Sequence, residues 1–285
     1  MRAQLVDDTT LVGIGSGWLR HVSYAVRVEA RRSYRLVRVV AHIFYGLLLS
    51  LLLAAYWQPR ALRVRRAAQR WQRTLLGILN VDVEVLGRPD ADARFFVSNH
   101  ISWLDIPVIG AAQNVHFLSK AEVRDWPLIG QLASAAGTLY IRRGSGESHR
   151  KADELASYLM QGTAVLVFPE GTTTDGQQLR RFFPALFRAP VMAQVVIQPL
   201  AVRYLDAQGG VDEQPAFLGE DTFQGHLWRL LRRDHIRVQL CWLPSIDTSK
   251  LSSKDASALC ATAQHSIERV VLGMPFDAPN SALIE

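Results

Sequence analysis

Apolar positions along this chain fall into two textures that meet near residue 80. Before it, an apolar stretch runs from Val39 to Trp57, densest at Ile43-Phe44-Tyr45-Gly46-Leu47-Leu48-Leu49-Ser50-Leu51-Leu52-Leu53. As a helix rising about 1.5 Å per residue it reaches roughly 28 Å, close to a hydrocarbon thickness of about 30 Å. A spanning helix, a shallow membrane helix and a buried helix of a soluble protein all fit that length, and the pattern leaves the three open. A cleaved signal peptide fits poorly, because the run starts well inside the chain and no small-x-small site follows it. Arg31, Arg32, Arg35 and Arg38 precede the run and Arg60, Arg63, Arg65 and Arg66 follow it, so flanking charge gives no orientation. From Ala61 to Leu79, Leu62, Ala68, Trp71, Leu75, Ile78 and Leu79 recur at helical spacing, while Arg63, Arg66, Arg70 and Arg73 fall mostly on other faces. That pattern predicts a basic amphipathic helix, suited to the headgroup layer or to packing on a core.

Beyond residue 80, short β-branched or aromatic runs alternate with longer helical patterns. Strands are predicted at Val81 to Val85, Arg94 to Ser98, Val115 to Ser119, Thr138 to Arg142, Ala164 to Phe168, Val195 to Tyr204 and Ile236 to Trp242. Helices are predicted between and after them, at 103–113, 122–135, 147–161, 184–193, 222–233 and 250–271. Such alternation predicts an α/β fold with a mixed, largely parallel sheet flanked by helices, preceded by an N-terminal membrane-binding helical segment. The expected division is 1–80 for anchoring or interfacial helices, 81–250 for the α/β domain and 251–285 for a C-terminal helix and tail.

Composition sharpens this picture in two places. A mean hydropathy slightly above zero is high for a freely soluble protein of this size, so apolar surface is expected outside the core. The net charge of +6 comes from arginines concentrated in the first part of the chain, beside apolar sequence. That arrangement points to anionic lipid and away from nucleic acid. Cys241 and Cys260 have neither CxxC spacing nor a neighbouring His cluster, so neither a disulfide nor a zinc site is expected.

Candidate chemistry gathers at strand ends. Asn99-His100-Ile101-Ser102-Trp103-Leu104-Asp105 follows one predicted strand and opens onto a helix. Inside a regular helix a five-residue separation places His100 and Asp105 about 140° apart, but across a strand-to-helix turn they can meet. The carboxylate would then accept Nδ1–H and leave Nε2 as a base. Taken alone, a His near a strand end is more often structural. After the run Ala164-Val165-Leu166-Val167 comes Phe168-Pro169-Glu170-Gly171-Thr172-Thr173-Thr174-Asp175-Gly176, where small residues admit close approach of a ligand and Glu170 could accept from a polyol; a plain polar turn fits the same residues. Lys120 and the pair Arg142-Arg143 each follow a strand and could converge on one anionic group. No metal is expected, because the His and Asp positions lack ligand spacing.

In this order the motifs resemble the glycerolipid acyltransferase family typified by 1-acylglycerol-3-phosphate acyltransferase. They are Asn99-His100-x4-Asp105, Gly137-Thr138-Leu139-Tyr140-Ile141-Arg142-Arg143, Phe168-Pro169-Glu170-Gly171-Thr172 and Val196-Ile197-Gln198-Pro199-Leu200-Ala201. The resemblance implies catalysis by His100 and Asp105, with Asn99 and Ser102 in support, and acceptor binding by Lys120, Arg142, Arg143, Glu170, Gly171 and Thr172. It implies acyl transfer from acyl carrier protein or coenzyme A, without a cofactor, to a lysolipid hydroxyl. The first expectation for that acceptor is 1-acyl-sn-glycerol-3-phosphate, giving phosphatidic acid. One departure matters: Thr173 stands where phosphate-binding relatives commonly carry Arg, and the residues around it resemble a branch that includes lyso-ornithine lipid acyltransferases, the alternative acceptor reading. The expected location is the cytoplasmic side of the inner membrane. A non-catalytic basic membrane-binding module is the rival of another class, and it leaves His100, Asp105 and Glu170 without a function.

Overall fold

The computed structural model describes residues 9–141, 148–249 and 255–274. Helix α1 (Thr9–Leu52) and helix α2 (Leu62–Leu79) precede strands β1 (Val81–Leu86) and β2 (Ala93–Ser98). Then come α3 (Asp105–Ala112), β3 (His116–Lys120), α4 (Ile129–Ala135), β4 (Leu139–Ile141), α5 (Ser148–Met160) and β5 (Val165–Val167). The chain continues through α6 (Arg188–Ala193), β6 (Val196–Leu205), α7 (Phe223–Leu231), β7 (Ile236–Trp242), β8 (Ile246–Asp247) and α8 (Ala256–Val271).

The strands form a mixed sheet in the order β1-β7-β6-β2-β5-β3-β4, with β8 paired to β6. From β6 through β2, β5 and β3 to β4 every pairing is parallel, and β7 and β8 run antiparallel to β6. The carboxyl ends of β2, β5, β3 and β4 therefore share one edge, which sets the polar segments after β2, β5 and β3 on the same side of the sheet.

Alternation along the strands builds a core on each face. Phe96, Leu166, Leu200, Val202, Tyr204 and Val238 point to the side covered by α2, α3 and α7. Phe95, Val97, Val165, Val167, Ile197 and Ala201 point to the side covered by α5, α6 and α8. Leu75, Leu76, Ile78 and Leu79 of α2 belong to the first core, and Leu259, Cys260, Ala263 and Ile267 of α8 to the second. Helices on both sides of the expected divisions at 80 and 251 thus contribute to the cores that flank the sheet.

Three local expectations change for physical reasons. The helix predicted at 122–135 is a 3-10 turn at Ala121–Asp125 followed by α4, because Pro127 has no N–H to give and drives Trp126 into extended backbone. The apolar helix begins long before Val39 and stops at Leu52 rather than Trp57. Ala54 sits at φ 52°, with Ala54 N–H donating to Leu51 O at 3.0 Å and Ala55 N–H to Ser50 O at 2.8 Å. This is the paired bonding of a Schellman stop, made here with alanine in place of glycine.

One face of α1 is docked along the body of the protein. Near its middle Arg35 donates to the carbonyls of Arg233 and Asp234, Arg31 pairs with Asp234, and the Arg32 guanidinium lies 3.3 Å from the Trp228 ring centroid. Further on, Trp71 Nε1–H donates to His42 O at 2.9 Å, His42 Nε2–H donates to Trp71 O at 2.9 Å, and the two rings stack at 4.6 Å. Gly46 makes room for that indole: a Cβ there would lie 2.5 Å from Trp71 Nε1.

Replacing Gly46 by alanine should displace Trp71 and lower stability by about 1–3 kcal/mol, read as a fall in the thermal midpoint. Gly77→Ala, where an added Cβ meets nothing within 4 Å, should raise stability by about 0.5–1 kcal/mol through helix propensity alone.

Candidate active site

At the end of β2 the ladder gives way to side chains. Asn99, buried, donates from Nδ2 to Val202 O at 2.9 Å and accepts from Val202 N–H at 2.8 Å, extending the pairing with β6 beyond Ser98. The chain then turns at His100 and enters α3 with Asp105 as its first residue.

That turn is organised around one carboxylate. Asp105 is 0% exposed, and a buried charge in that setting needs donors on its oxygens. Oδ2 accepts from His100 Nδ1–H at 2.8 Å, Ile101 N–H at 2.7 Å and Ser102 N–H at 2.9 Å. Oδ1 accepts from the Tyr204 hydroxyl at 2.7 Å. With Nδ1 held as the donor, His100 keeps its lone pair on Nε2. The imidazole stacks on Phe168 at 4.0 Å between centroids, and its side chain keeps 19% exposure.

The loop after β5 closes on the same turn. Glu170 accepts His100 N–H on Oε1 at 2.8 Å and Arg180 N–H on Oε2 at 2.9 Å. Thr174 N–H donates to His100 O at 2.8 Å, and Thr173 Oγ1–H donates to Phe217 O. Gly171 adopts φ 71° beside Glu170, the left-handed region that suits glycine. Burial pushes the Glu170 carboxyl up to about 7; the two N–H donors oppose this, and the Asp105 charge reinforces it. Burial, with the same Asp105 charge, raises Tyr204 well above its ordinary value, so it remains a protonated donor.

The structure thus joins Asn99, His100, Ser102, Asp105, Glu170 and the Gly171-Thr172 segment at one edge of the sheet. Both oxygens of Glu170, expected to face an acceptor, accept backbone N–H groups of the surrounding frame. Lys120 ends β3 at the same edge and is exposed. Arg142 and Arg143 lie outside the described residues. Among those residues no group of His, Cys, Asp and Glu is arranged to hold a metal ion.

Sequence reasoning passed over two residues, Tyr204 and Phe168, whose roles depend on the fold. Tyr204 carried a signal: it shares its strand face with Leu200 and Val202, and a tyrosine on a buried face needs a partner for its hydroxyl. Phe168 is a motif member whose stacking on His100 leaves no trace in spacing. Chemically, the constellation presents an imidazole with one nitrogen anchored to a buried carboxylate and the other turned away from it, the arrangement of a general base.

Comparison with known proteins agrees with this geometry. The family model described as Acyltransferase matches residues 83–203. A lyso-ornithine lipid O-acyltransferase of Pseudomonas aeruginosa is 41% identical over 209 residues, covering 73% of this chain and 80% of its own. A protein of the same name from Rhodobacter capsulatus is 37% identical over 203 residues, covering 68% and 72%. A 1-acyl-sn-glycerol-3-phosphate acyltransferase of Neisseria meningitidis is 30% identical over 212 residues, covering 72% and 81%. The crystal structure of the 1-acyl-sn-glycerophosphate acyltransferase PlsC from Thermotoga maritima superposes with a TM-score of 0.64 over 89% of this chain and 99% of that one; at 20% identity it speaks for the fold alone. The sequence relatives and the assembled motifs together establish that this chain belongs to the acyltransferase family and is an O-acyltransferase acting on lysolipids.

Proposed function

We propose that His100 and Asp105 form a general-base dyad that transfers an acyl group from an acyl thioester, carried by acyl carrier protein or coenzyme A, to the hydroxyl of lyso-ornithine lipid at the membrane surface. The observation that carries the dyad is the 2.8 Å contact between His100 Nδ1 and Asp105 Oδ2 at the shared carboxyl edge of the sheet. His100 Nε2 takes the proton from the acceptor hydroxyl as its oxygen attacks the thioester carbon. Asp105 stabilises the imidazolium, which returns that proton to the departing thiolate as the tetrahedral intermediate collapses. A covalent acyl-enzyme on cysteine has no support: burial raises Cys241 to about 12 and Cys260 to about 11. The Ile101 and Ser102 amides are engaged by Asp105 and are therefore not free to stabilise an oxyanion.

Thr173 supports the choice of acceptor. In place of an arginine aimed at phosphate, its hydroxyl ties the loop to Phe217, and lyso-ornithine lipid presents a carboxylate and an ammonium in place of a phosphate. The relatives of that name at 41% and 37% identity point the same way. Lysophosphatidic acid is the second reading, favoured by the Neisseria relative at 30% identity. Against Glu170 as an acceptor ligand stand its two backbone partners, and its role here is to brace the loop against the His100 turn.

Location follows from the free side of α1. Val37, Val40, Phe44, Leu48, Leu51 and Leu52 form an exposed apolar stripe opposite the docked residues Arg35, Val39, His42 and Ser50. A helix bound along its length to its own domain suits the interface, where it lies in the plane of the bilayer, better than a spanning position surrounded by lipid. The cytoplasmic face of the inner membrane fits this reading together with the buried, unpaired thiols.

Purified protein given one acyl donor and both acceptors should acylate lyso-ornithine lipid faster than lysophosphatidic acid. His100→Ala should reduce turnover on either by about 10²–10⁴-fold or more with its circular dichroism unchanged; a folded, fully active variant overturns the dyad. Phe44→Ser, Leu48→Asn and Leu51→Asn combined should move the protein from the membrane pellet to the soluble fraction without unfolding it, and unchanged pelleting removes the interfacial assignment.

The Glu170 carboxyl, raised in the fold from 4.5 to about 7, should make stability fall with rising pH. The unfolded chain releases this proton first, so the fold is favoured fully below about 4.5 and loses on the order of 3 kcal/mol by the time pH passes 7. Glu170→Gln should flatten that part of the stability-against-pH curve, measured by denaturant unfolding at a series of pH values.

A further inference from the structure

Three of the four donors around Asp105 come from its own turn, within five residues, and all three meet Oδ2. The fourth is of another kind. Tyr204 stands on β6, 99 positions away in the chain, is 1% exposed, and reaches Oδ1 from across the core at 2.7 Å. Its ring packs among buried residues that include Leu200, Val202 and Val238. Packing would be served as well by phenylalanine; only the hydroxyl needs a tyrosine here.

We infer that Tyr204 is a positioning residue of the acyl-transfer reaction: its hydroxyl fixes the plane of the Asp105 carboxylate and shares that group's charge, and so controls the imidazole that Asp105 holds. This rests on the reading of His100 and Asp105 as the base dyad. The geometric part follows from the donor count. With Oδ2 alone anchored, the carboxylate can rotate about its Cβ–Cγ bond, and a buried Oδ1 without a donor is costly enough to drive such movement. The bond from β6 removes that freedom and holds Oδ2 toward Nδ1. The electrostatic part has a definite sign. A phenol hydrogen bond draws negative charge from the carboxylate, which weakens its pull on the imidazolium; removing that bond strengthens the pull.

The other ionisable group facing the pair is Glu170 from the loop after β5, whose Oε1 accepts His100 N–H; Lys120 ends β3 at the same sheet edge, two strands from β2. Neither contacts Oδ1 among the bonds described. The Arg180 backbone meets Glu170, not Asp105. Tyr204 is thus the group through which the carboxylate can be altered without touching the imidazole or the loop.

The test is Tyr204→Phe, assayed for kcat, KM and the pH dependence of kcat/KM. Loss of the hydroxyl should lower kcat about tenfold, leave KM for both substrates unchanged, and move the acid limb of the profile upward by about half a pH unit. In an Asp105→Asn background the same substitution should cost nothing further, since the charge it modulates is gone. Equal losses in both backgrounds, or a folded Tyr204→Phe with wild-type kcat and an unmoved acid limb, would falsify the inference. Should Tyr204→Phe not fold, 3-fluorotyrosine placed at position 204 keeps ring and hydroxyl while making a stronger donor. The acid limb should then move down, and an unmoved limb counts against Tyr204. His100→Ala run beside these variants separates the two claims: if it stays active the dyad itself fails, whereas an inactive His100→Ala beside an unaffected Tyr204→Phe defeats only this inference.

Discussion

A carboxylate with no exposure to solvent organises this molecule, because the cost of keeping Asp105 charged in the core has to be met by donors from every direction. Two donors are backbone amides, which requires the chain to turn tightly between β2 and α3. One is the imidazole, and one arrives from β6. Each of these sources is fixed in turn: Asn99 pins the end of β2 to β6, and Glu170 and Thr174 pin His100 to the loop after β5. The parallel arrangement of β6, β2 and β5 is what brings these three sources to one place.

The same economy governs the helices that lead into the domain. On α1 the docked face carries groups that a bilayer would reject, Arg35 and His42, and satisfies them with backbone carbonyls of the body. Its opposite face carries residues that water would reject. The two solvents of the helix are thereby separated around its circumference rather than along its axis, which is the physical difference between an interfacial helix and a span.

Much of this was legible in the sequence, for reasons visible in particular residues. The strands could be read because apolar side chains such as Phe95, Val97, Val165 and Val167 feed two cores by strict alternation. The His100 and Asp105 pairing could be read because only a turn lets residues at that spacing meet. What escaped notice depended on contacts across the sheet. The arginines just before Val39 read as a charged flank, yet Arg31 and Arg32 are held by α7 and the turn after it. Pro127 broke a helix that periodicity alone would continue. Glu170 read as an open acceptor, because spacing does not reveal that the Arg180 amide returns to it. Lys120 was placed at the correct edge, but nothing in its sequence neighbourhood says what it faces.

The docking of α1 along the protein body also has a topological consequence for the membrane. On the interfacial placement proposed for α1, an enzyme held flat by one apolar stripe meets a single monolayer, so its lysolipid substrate is drawn from that monolayer and its two-tailed product is delivered back to it. Each turnover adds area to one side of the bilayer only. On that placement, any two-tailed product found on the far side has crossed by a separate flipping step.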